Sequence, residues 1–281
     1  METLLLKNGN LLDPANGVDT ESDLLIVEGR IDAIGKNLKP GPGVRVVDLK
    51  GKVVTPGLFD MHVHFREPGF EHKETIETGC ASAAAGGFTG VCCMPNTNPP
   101  IDDATVVSFI QEKAKKALNG VVDVFCIGAV TKGREGKQLS PMADLASAGV
   151  VAFSDDGSPV SDPEIMRRAL EYAGMFGKPV IQHAEESTMT RGGAMNEGVT
   201  STMLGLPPIP SVAEEIMVGR DILLAKYVGA RYHVAHISTL GTLEQVRSAR
   251  AQGIPVTCEI TPHHFTLNDE AVDGFDTNTK M

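Results

Sequence analysis

The pattern of apolar and polar residues changes near residue 54. Before that point the apolar residues form four short runs, separated by turn sequences such as Lys-Asn-Gly-Asn and Pro-Gly-Pro-Gly. The runs are residues 4–6, 23–27, 30–34 and 44–47. Short apolar runs bounded by turn residues are typical of strands. We therefore predict that residues 1–54 form a small antiparallel sheet or half of a β-sandwich that serves as a structural subdomain.

After residue 54, apolar runs alternate with segments of helical periodicity. Beyond a first strand that ends at His62, we predict strands at 88–94, 121–130, 150–154, 179–183, 231–237 and 255–260. We predict helices between them at 73–85, 105–118, 163–176, 213–228 and 242–252. This alternation predicts parallel strands joined by right-handed crossovers. Both a (β/α) barrel and an open doubly wound sheet satisfy the pattern.

The polar residues that follow the strands favour the barrel. They are His62, His64, Asn96, Asp155, Asp156, His183, His236, His263 and His264. A barrel gathers its strand ends around one mouth, whereas an open sheet spreads most of them along a line. We predict an α/β fold with a (β/α)8 TIM-type barrel over residues 55–281. Seven of its strands lie in this sequence, so we expect the barrel to be truncated before strand 8.

Two histidines at the end of the first barrel strand suggest a metal site. Side chains alternate in a strand, so His62 and His64 point the same way, and Arg66 continues that face. A bare pair of this kind fits an ordinary half-buried strand at least as well. Together with His183 and His236, however, it gives four histidines at three strand ends, with a carboxylate at a fourth. That is a ligand set suited to zinc.

Other polar residues leave alternatives open. One residue of the pair Asp155-Asp156 can bridge two metal ions while the other orients a loop or caps a helix, and spacing does not say which. Asn96 either belongs to a rigid turn or joins Arg66 in binding a planar substrate carboxylate. The remaining histidines have no distinctive spacing and are interpreted as structural: His72, His233, His263 and His264.

Composition and charge exclude several classes of function. The 281 residues include 25 basic and 36 acidic side chains, a formal net charge of −11, and no basic run, which argues against nucleic-acid or acidic-membrane binding. No apolar stretch approaches the roughly 18 residues of a membrane span, and no targeting segment is evident. The five cysteines lack Cys-x-x-Cys spacing and are interpreted as buried thiols. We expect a cytoplasmic protein.

Several motifs occur along the whole chain. They are Pro-Gly-Leu-Phe-Asp-Met-His-Val-His-Phe-Arg-Glu-Pro-Gly, Gly-Gly-Phe-Thr-Gly, Met-Pro-Asn-Thr-Asn-Pro-Pro, Phe-Ser-Asp-Asp-Gly, His-Ala-Glu-Glu, His-Ile-Ser-Thr and Thr-Pro-His-His. Together they closely resemble the dihydroorotases, cyclic amidohydrolases of pyrimidine biosynthesis. The resemblance implies metal-assisted interconversion of N-carbamoyl-L-aspartate and L-dihydroorotate.

The resemblance also implies a metal centre of one or two zinc ions. His62 and His64 would bind one ion, His183 and His236 would bind a second, and Asp156 would link the two. Many relatives use a carboxylated lysine at the end of the fourth strand. This strand has no lysine, which suggests the bacterial branch that uses aspartate.

For the substrate, the resemblance implies that Arg66 and Asn96 hold the carboxylate of dihydroorotate and that Asn278 contacts its ring. The family pattern continues into an eighth strand, whose aspartate is both a metal ligand and the proton shuttle. That aspartate is expected beyond Met281, so no catalytic acid or base is assigned within these residues. For a chain that ends at Met281 we expect a zinc site that lacks one ligand and little or no turnover.

Two alternative functions are open. An allantoinase or a hydantoinase would share the metals but would not need Arg66 and Asn96 for a carboxylate. A non-catalytic relative that partners aspartate transcarbamoylase belongs to another class, and such proteins typically lose the metal histidines. A homodimer and an association with aspartate transcarbamoylase are both compatible with the family.

Overall fold

Residues 3–279 are described by a computed structural model. The chain divides into two compact units, of which the first runs to Phe59 and includes Gly87–Thr89. The second consists of Asp60–Gly86 and the residues from Gly90 onward. The predicted boundary after residue 54 stays a prediction. The outermost residues of both predicted domains, 1, 2, 280 and 281, lie outside the described residues.

The first unit contains a five-stranded sheet. Its strands are β1 (Leu4–Asp13), β2 (Val18–Val27), β3 (Arg30–Gly35), β4 (Arg45–Asp48) and β5 (Val53–Val54). The order is β3-β2-β1-β4, and β5 also pairs with β1. The first three strands are antiparallel, but β4 and β5 run parallel to β1, so the expected antiparallel sheet is in fact mixed. The reason is that residues 36–44 form a long Pro- and Gly-rich crossover instead of a hairpin.

The second sheet has seven strands among the described residues, in chain order from β6 to β14. Its strands are β6 (Leu58–Val63), β7 (Phe88–Cys93), β8 (Asp123–Gly128), β9 (Ala152–Ser154), β10 (Val180–Gln182), β13 (Tyr232–Val234) and β14 (Val256–Cys258). Two short strands, β11 (Met195–Asn196) and β12 (Pro208–Ile209), pair separately. The ladders from β7 to β14 are parallel, which confirms the predicted alternating α/β fold. The eighth strand and the truncation stay predictions.

Helices connect the strands of this sheet. They are α1 (Ile76–Ala85), α2 (Ala104–Lys116), α3 (Met142–Ser147), α4 (Pro163–Met175), α5 (Ser187–Thr190), α6 (Val199–Leu204), α7 (Val212–Val228), α8 (Leu240–Ala251) and α9 (Pro262–Thr266). The five long helices are those that the periodicity predicts. Four of them, all except α7, start after a side chain that accepts a backbone hydrogen bond, as at Asp103 before α2 and Asp162 before α4. The short helices were not predicted, because four to six residues are too few to show a period.

The sheet curls around a small apolar interior. Side chains from neighbouring strands contact one another there: Cys92, Met94, Ile127, Ala152, Ile181 and Ala235. The two outermost strands also approach each other, since Glu259, directly after β14, contacts His62 in β6. The sheet is therefore curved into a half-barrel. All five cysteines are free, and four of them are buried as predicted, whereas Cys258 is half-buried. Within residues 3–279 we find no helix that combines the length and apolar character needed to cross a membrane.

Candidate metal centre

The loop that follows β6 turns sharply at Arg66. β6 ends at Val63, and Arg66 has a positive φ of 61°. Strand alternation therefore does not extend to Arg66, because β6 ends before it, and the placement of Arg66 on the face of the histidines stays a prediction. Phe65 is 5% exposed and packs against α1 at Gly79, where an added Cβ would lie 2.5 Å from the ring. Arg66 thus lies between two buried neighbours, Phe65 and Glu67.

Two sequence motifs contact each other beside this turn. The Asn98 N–H donates to the Pro68 carbonyl at 2.9 Å. Gly69 has a φ of 97°, and an added Cβ would lie 2.2 Å from the Asn98 carbonyl oxygen. Only glycine fits this close approach. The Phe-Arg-Glu-Pro-Gly and Asn-Thr-Asn-Pro segments are therefore packed together, which brings the loops of Arg66 and Asn96 near each other.

Four histidines surround the Asp156 carboxylate. Its Oδ1 lies 3.6 Å from His62 Nε2, 3.7 Å from His183 Nδ1 and 3.6 Å from His236 Nε2. Its Oδ2 lies 3.6 Å from His64 Nε2. The atoms form two groups, each within 4.8 Å, that share Asp156: one with His62 and His64, the other with His183 and His236. The fold thus gathers all five residues predicted to bind metal.

The donor set fits a metal ion. Asp156 is 3% exposed, and its Oδ1 has no hydrogen-bond partner. A buried carboxylate oxygen without a donor is costly unless a cation approaches it. The nitrogens of His183 and His236 lie 3.0 Å apart beside the same oxygen. Imidazole nitrogens around a shared carboxylate make a set of ligands that can bind a divalent cation.

Each of three cluster histidines contacts an oxygen through its other ring nitrogen. The pairs are His62 with Glu259, His64 with Asn96 at 3.0 Å, and His183 with Glu185 at 3.2 Å. Such contacts fix the tautomer and the orientation of the ring and leave the inner nitrogen free for a metal. Residues outside the cluster therefore orient three of its histidine rings.

The charges of the cluster reinforce one another. Burial alone would lower the pKa of His62, but Asp156 and Glu259 raise it to about 9. Burial opposes ionisation of Asp156, yet His183, His236 and His62 hold its pKa well below the usual range. Glu259 is also opposed by burial, and His233 and His62 lower its pKa to about 2. Both carboxylates are therefore anionic at neutral pH and favour a bound cation.

The structure separates the roles of the two adjacent aspartates. Asp155 is 2% exposed and accepts hydrogen bonds from the Val130 N–H at 2.8 Å and the Thr131 N–H at 3.0 Å, and also from the Thr131 hydroxyl. Asp155 therefore orients the loop after β8, whereas Asp156 faces the histidines. Spacing alone left this choice open.

Two residues of the site were missed by the sequence analysis. Arg134 donates to the Asp156 carbonyl at 2.6 Å and to Ser158 Oγ at 3.2 Å, so it braces the loop that carries Asp156. Glu259 contacts His62. Glu259 directly follows β14, so the rule that picked out polar residues at strand ends would have found it. Arg134 lies six residues beyond β8 and carries no such signal.

The residues predicted to bind substrate occupy different places. Asn96 accepts from His64 through Oδ1, which leaves its amide N–H groups free to donate. Burial lowers the pKa of His64, and the nearby charge of Arg66 lowers it further. Asn278 is exposed and donates to Asp276 at 2.9 Å. The structure thus brings Arg66 and Asn96 to the cluster, while Asn278 is engaged with Asp276 in the last described turn.

Comparisons with known proteins agree with this geometry. The dihydroorotase of Pelotomaculum thermopropionicum is 54% identical over 278 residues, which is 99% of this chain and 64% of the relative. That of Geobacter sulfurreducens is 51% identical, over 99% of this chain and 65% of the relative. The chain thus spans slightly less than two thirds of the length of these curated relatives.

Solved structures show the same fold. The L-hydantoinase (dihydropyrimidinase) from Arthrobacter aurescens aligns with a TM-score of 0.83 at 24% identity, over 97% of this chain and 61% of that chain.

A profile of the family described as dihydro-orotase-like matches residues 51–242, which include β6 to β13 and all five residues of the cluster. The chain therefore belongs to the dihydro-orotase-like family.

Proposed function

We propose that the protein is a zinc-dependent cyclic amidohydrolase that interconverts N-carbamoyl-L-aspartate and L-dihydroorotate in pyrimidine biosynthesis. The observation that carries the proposal is the Asp156 carboxylate among four histidine nitrogens, with its Oδ1 unpartnered although three of those nitrogens lie within 3.7 Å of it. It occurs in a chain that is 54% identical to a protein named dihydroorotase. Non-catalytic relatives typically lose the metal histidines, so the presence of the cluster favours an enzyme.

In this proposal His62, His64 and Asp156 hold one zinc ion, and Asp156, His183 and His236 hold a second. Nitrogen and carboxylate donors are the usual zinc ligands. Zinc at such a centre supplies a Lewis acid for an amide carbonyl and makes hydroxide available near neutral pH. Asp156 would be the ligand that the two ions share.

The substrate carboxylate would be held by Arg66 and Asn96. A guanidinium pairs with a carboxylate through charge-assisted hydrogen bonds, which are stronger than neutral ones. The Asn96 amide adds a donor because its oxygen is already engaged by His64. Asn278 would contact the ring of the substrate.

The reaction also needs a group that carries a proton between water and the ring nitrogen. The family resemblance assigns this role to an aspartate of the eighth strand and to no residue within the 281. A homodimer, an association with aspartate transcarbamoylase and a cytoplasmic location stay predictions.

Ligand binding tests the proposal without depending on turnover. Zinc-loaded protein is titrated by calorimetry with L-dihydroorotate, hydantoin and allantoin. We expect dihydroorotate to bind best. Arg66→Met should weaken dihydroorotate binding about 10–100-fold, because a hydrogen bond to a charged group contributes about 1.5–3 kcal/mol. Hydantoin binding should not change.

Arg247→Met, a change of an exposed arginine on α8, is the matched control and should behave as wild type. Tighter binding of hydantoin than of dihydroorotate, unaffected by Arg66→Met, would favour the hydantoinase alternative. A protein that binds zinc but none of the three ligands would favour the non-catalytic one.

A further inference from the structure

Glu259 occupies a fixed position at the end of β14. Its N–H donates to the Val234 carbonyl at 3.1 Å, and its carbonyl accepts from the Ile237 N–H at 2.9 Å. The backbone of Glu259 thus continues the ladder between β13 and β14 beyond the last strand residue, Cys258. The direction of its side chain is therefore set by the sheet and not by a loop.

The carboxylate of Glu259 contacts His62 on the side away from Asp156. One oxygen hydrogen-bonds His62 Nδ1, while His62 Nε2 lies 3.6 Å from Asp156 Oδ1. The Glu259 side chain is only 13% exposed, whereas that of Glu185, which contacts His183, is 43% exposed. A buried carboxylate of this kind makes a stronger and better oriented acceptor than one in water.

A second buried histidine supports Glu259 from its other oxygen. His233 is 3% exposed, and its Nε2 lies 3.7 Å from Glu259 Oε2. His233 Nδ1 lies 2.7 Å from the hydroxyl of Thr257, its partner in the ladder between β13 and β14. Thr257 therefore orients the His233 ring within the sheet, and His233 lies beside the carboxylate at ion-pair distance without a hydrogen bond to it. His233 was interpreted as structural, and here it has a defined place behind the cluster.

We propose that Glu259, supported by His233, is a positioning residue for the metal centre. By accepting the Nδ1 proton of His62, it selects the tautomer whose Nε2 lone pair faces Asp156 and holds the ring there. The inference rests on the proposed function, since it concerns the same metal centre. It adds a residue that acts through His62 and touches neither the metal nor the substrate.

Metal binding by the purified protein tests the inference. The zinc Kd is measured by competition with a chelator, and cobalt(II) is titrated to record its visible absorption. Loss of a group that orients a metal ligand typically costs about 10–100-fold in affinity. We expect Glu259→Ala to raise the zinc Kd by this factor and to shift the cobalt absorption. Glu259→Gln keeps an acceptor for the Nδ1 proton and should restore most of the affinity.

Glu244→Ala, a change of an exposed carboxylate on α8, is the matched control and should bind as wild type. A wild-type Kd and cobalt spectrum for Glu259→Ala would overturn the inference, and so would a Gln variant as weak as the Ala variant. A wild-type protein that binds neither metal would instead refute the proposed function, so the two failures are distinguishable.

A measurement on the unmodified protein covers the case in which the Ala variant does not fold. Histidine ¹⁵N NMR of the zinc-loaded wild type reports which ring nitrogen carries the proton. We expect His62 to be protonated at Nδ1. A His62 ring with an unprotonated Nδ1 would overturn the inference.

Discussion

Two aspartates, one in the N-terminal sheet and one at the ends of the barrel strands, are equally buried and have opposite surroundings. Asp23 and Asp156 are each 3% exposed. Asp23 accepts hydrogen bonds from the backbone N–H groups of Asn8 and Leu38, both at 2.9 Å. Asp156 has an oxygen without a hydrogen bond and faces imidazole nitrogens.

The difference shows that burial alone does not distinguish a structural carboxylate from a functional one. A carboxylate that is saturated by backbone donors stabilises the fold, because it satisfies groups that burial would leave unpaired. A carboxylate that faces other ligand atoms is complete only with a cation. The other two fully buried aspartates among the described residues also have donors. Asp155 accepts from backbone N–H groups, as Asp23 does, whereas Asp221 accepts from the side chains of Arg220, Tyr232 and Gln182.

The largest effect is expected at Asp156. Asp156→Asn keeps the shape but removes the charge that the two ligand groups share. We expect the zinc Kd to rise by more than about 100-fold, because loss of a ligand should exceed the 10–100-fold effect of an outer group. Bound zinc is measured after dialysis against a weak chelator. Retention of wild-type zinc would mean that Asp156 is a structural carboxylate like Asp23.

Asp155 should behave in the opposite way although it is adjacent in sequence. Asp155→Ala leaves the Val130 and Thr131 N–H groups without their acceptor, each at a cost of about 1–3 kcal/mol. We expect the free energy of unfolding in urea to fall by about 3 kcal/mol, with a change in zinc Kd of less than about tenfold. A loss of zinc without a loss of stability would contradict the assigned roles.

Asp221 should contribute to the pH dependence of stability. Burial raises its pKa from 3.8 to about 6, despite hydrogen bonds from Arg220, Tyr232 and Gln182. Between these pH values the folded protein keeps the proton and the unfolded chain loses it. The free energy of unfolding should therefore fall as pH rises from about 4 to about 6, by about 3 kcal/mol at about 1.4 kcal/mol per pKa unit.

Urea titrations across this range, compared between wild type and Asp221→Asn, measure the contribution of Asp221. The variant should lack the fall, while Asp144→Asn, a change of an exposed residue on α3, should retain it. Identical pH profiles for wild type and Asp221→Asn would show that Asp221 does not titrate in this window.

The smallest effect is expected at Asp23. Asp23→Ala leaves the N–H groups of Asn8 and Leu38 without their acceptor, but both lie in half-buried surroundings that water can reach. We expect a loss of about 2 kcal/mol in unfolding free energy and an unchanged zinc Kd. Asp19→Ala, at an exposed position of the same sheet, should change stability by less than about 0.5 kcal/mol. A weaker zinc site in Asp23→Ala would contradict the comparison.

Patterns within short segments gave most of the architecture. Apolar runs alternating with segments of helical periodicity predicted the parallel strands and the long helices, because local spacing reflects which face of an element is buried. The two histidines His62 and His64 were paired for the same reason, since one residue between them places both on one side. The alternation does not extend to Arg66, because β6 ends at Val63 and Arg66 has a left-handed backbone conformation.

Contacts between distant segments were beyond this kind of reasoning. His62 and Glu259 are 197 residues apart and meet because the sheet curls until its first and seventh strands are near each other. Likewise, the parallel pairing of β4 with β1 depends on the path of a crossover whose residues show no period.

The sequence by itself determined the types and order of the elements and the kinds of ligands that follow the strands, because both depend on residues close along the chain. Only the tertiary structure decided that Asp156 faces the histidines while Asp155 accepts hydrogen bonds from the backbone. Adjacent side chains point in different directions, and the fold determines which of these directions leads to the histidine cluster. It also decided that Glu259 lies behind His62, because curvature of the sheet, and not any local pattern, brings their strands together.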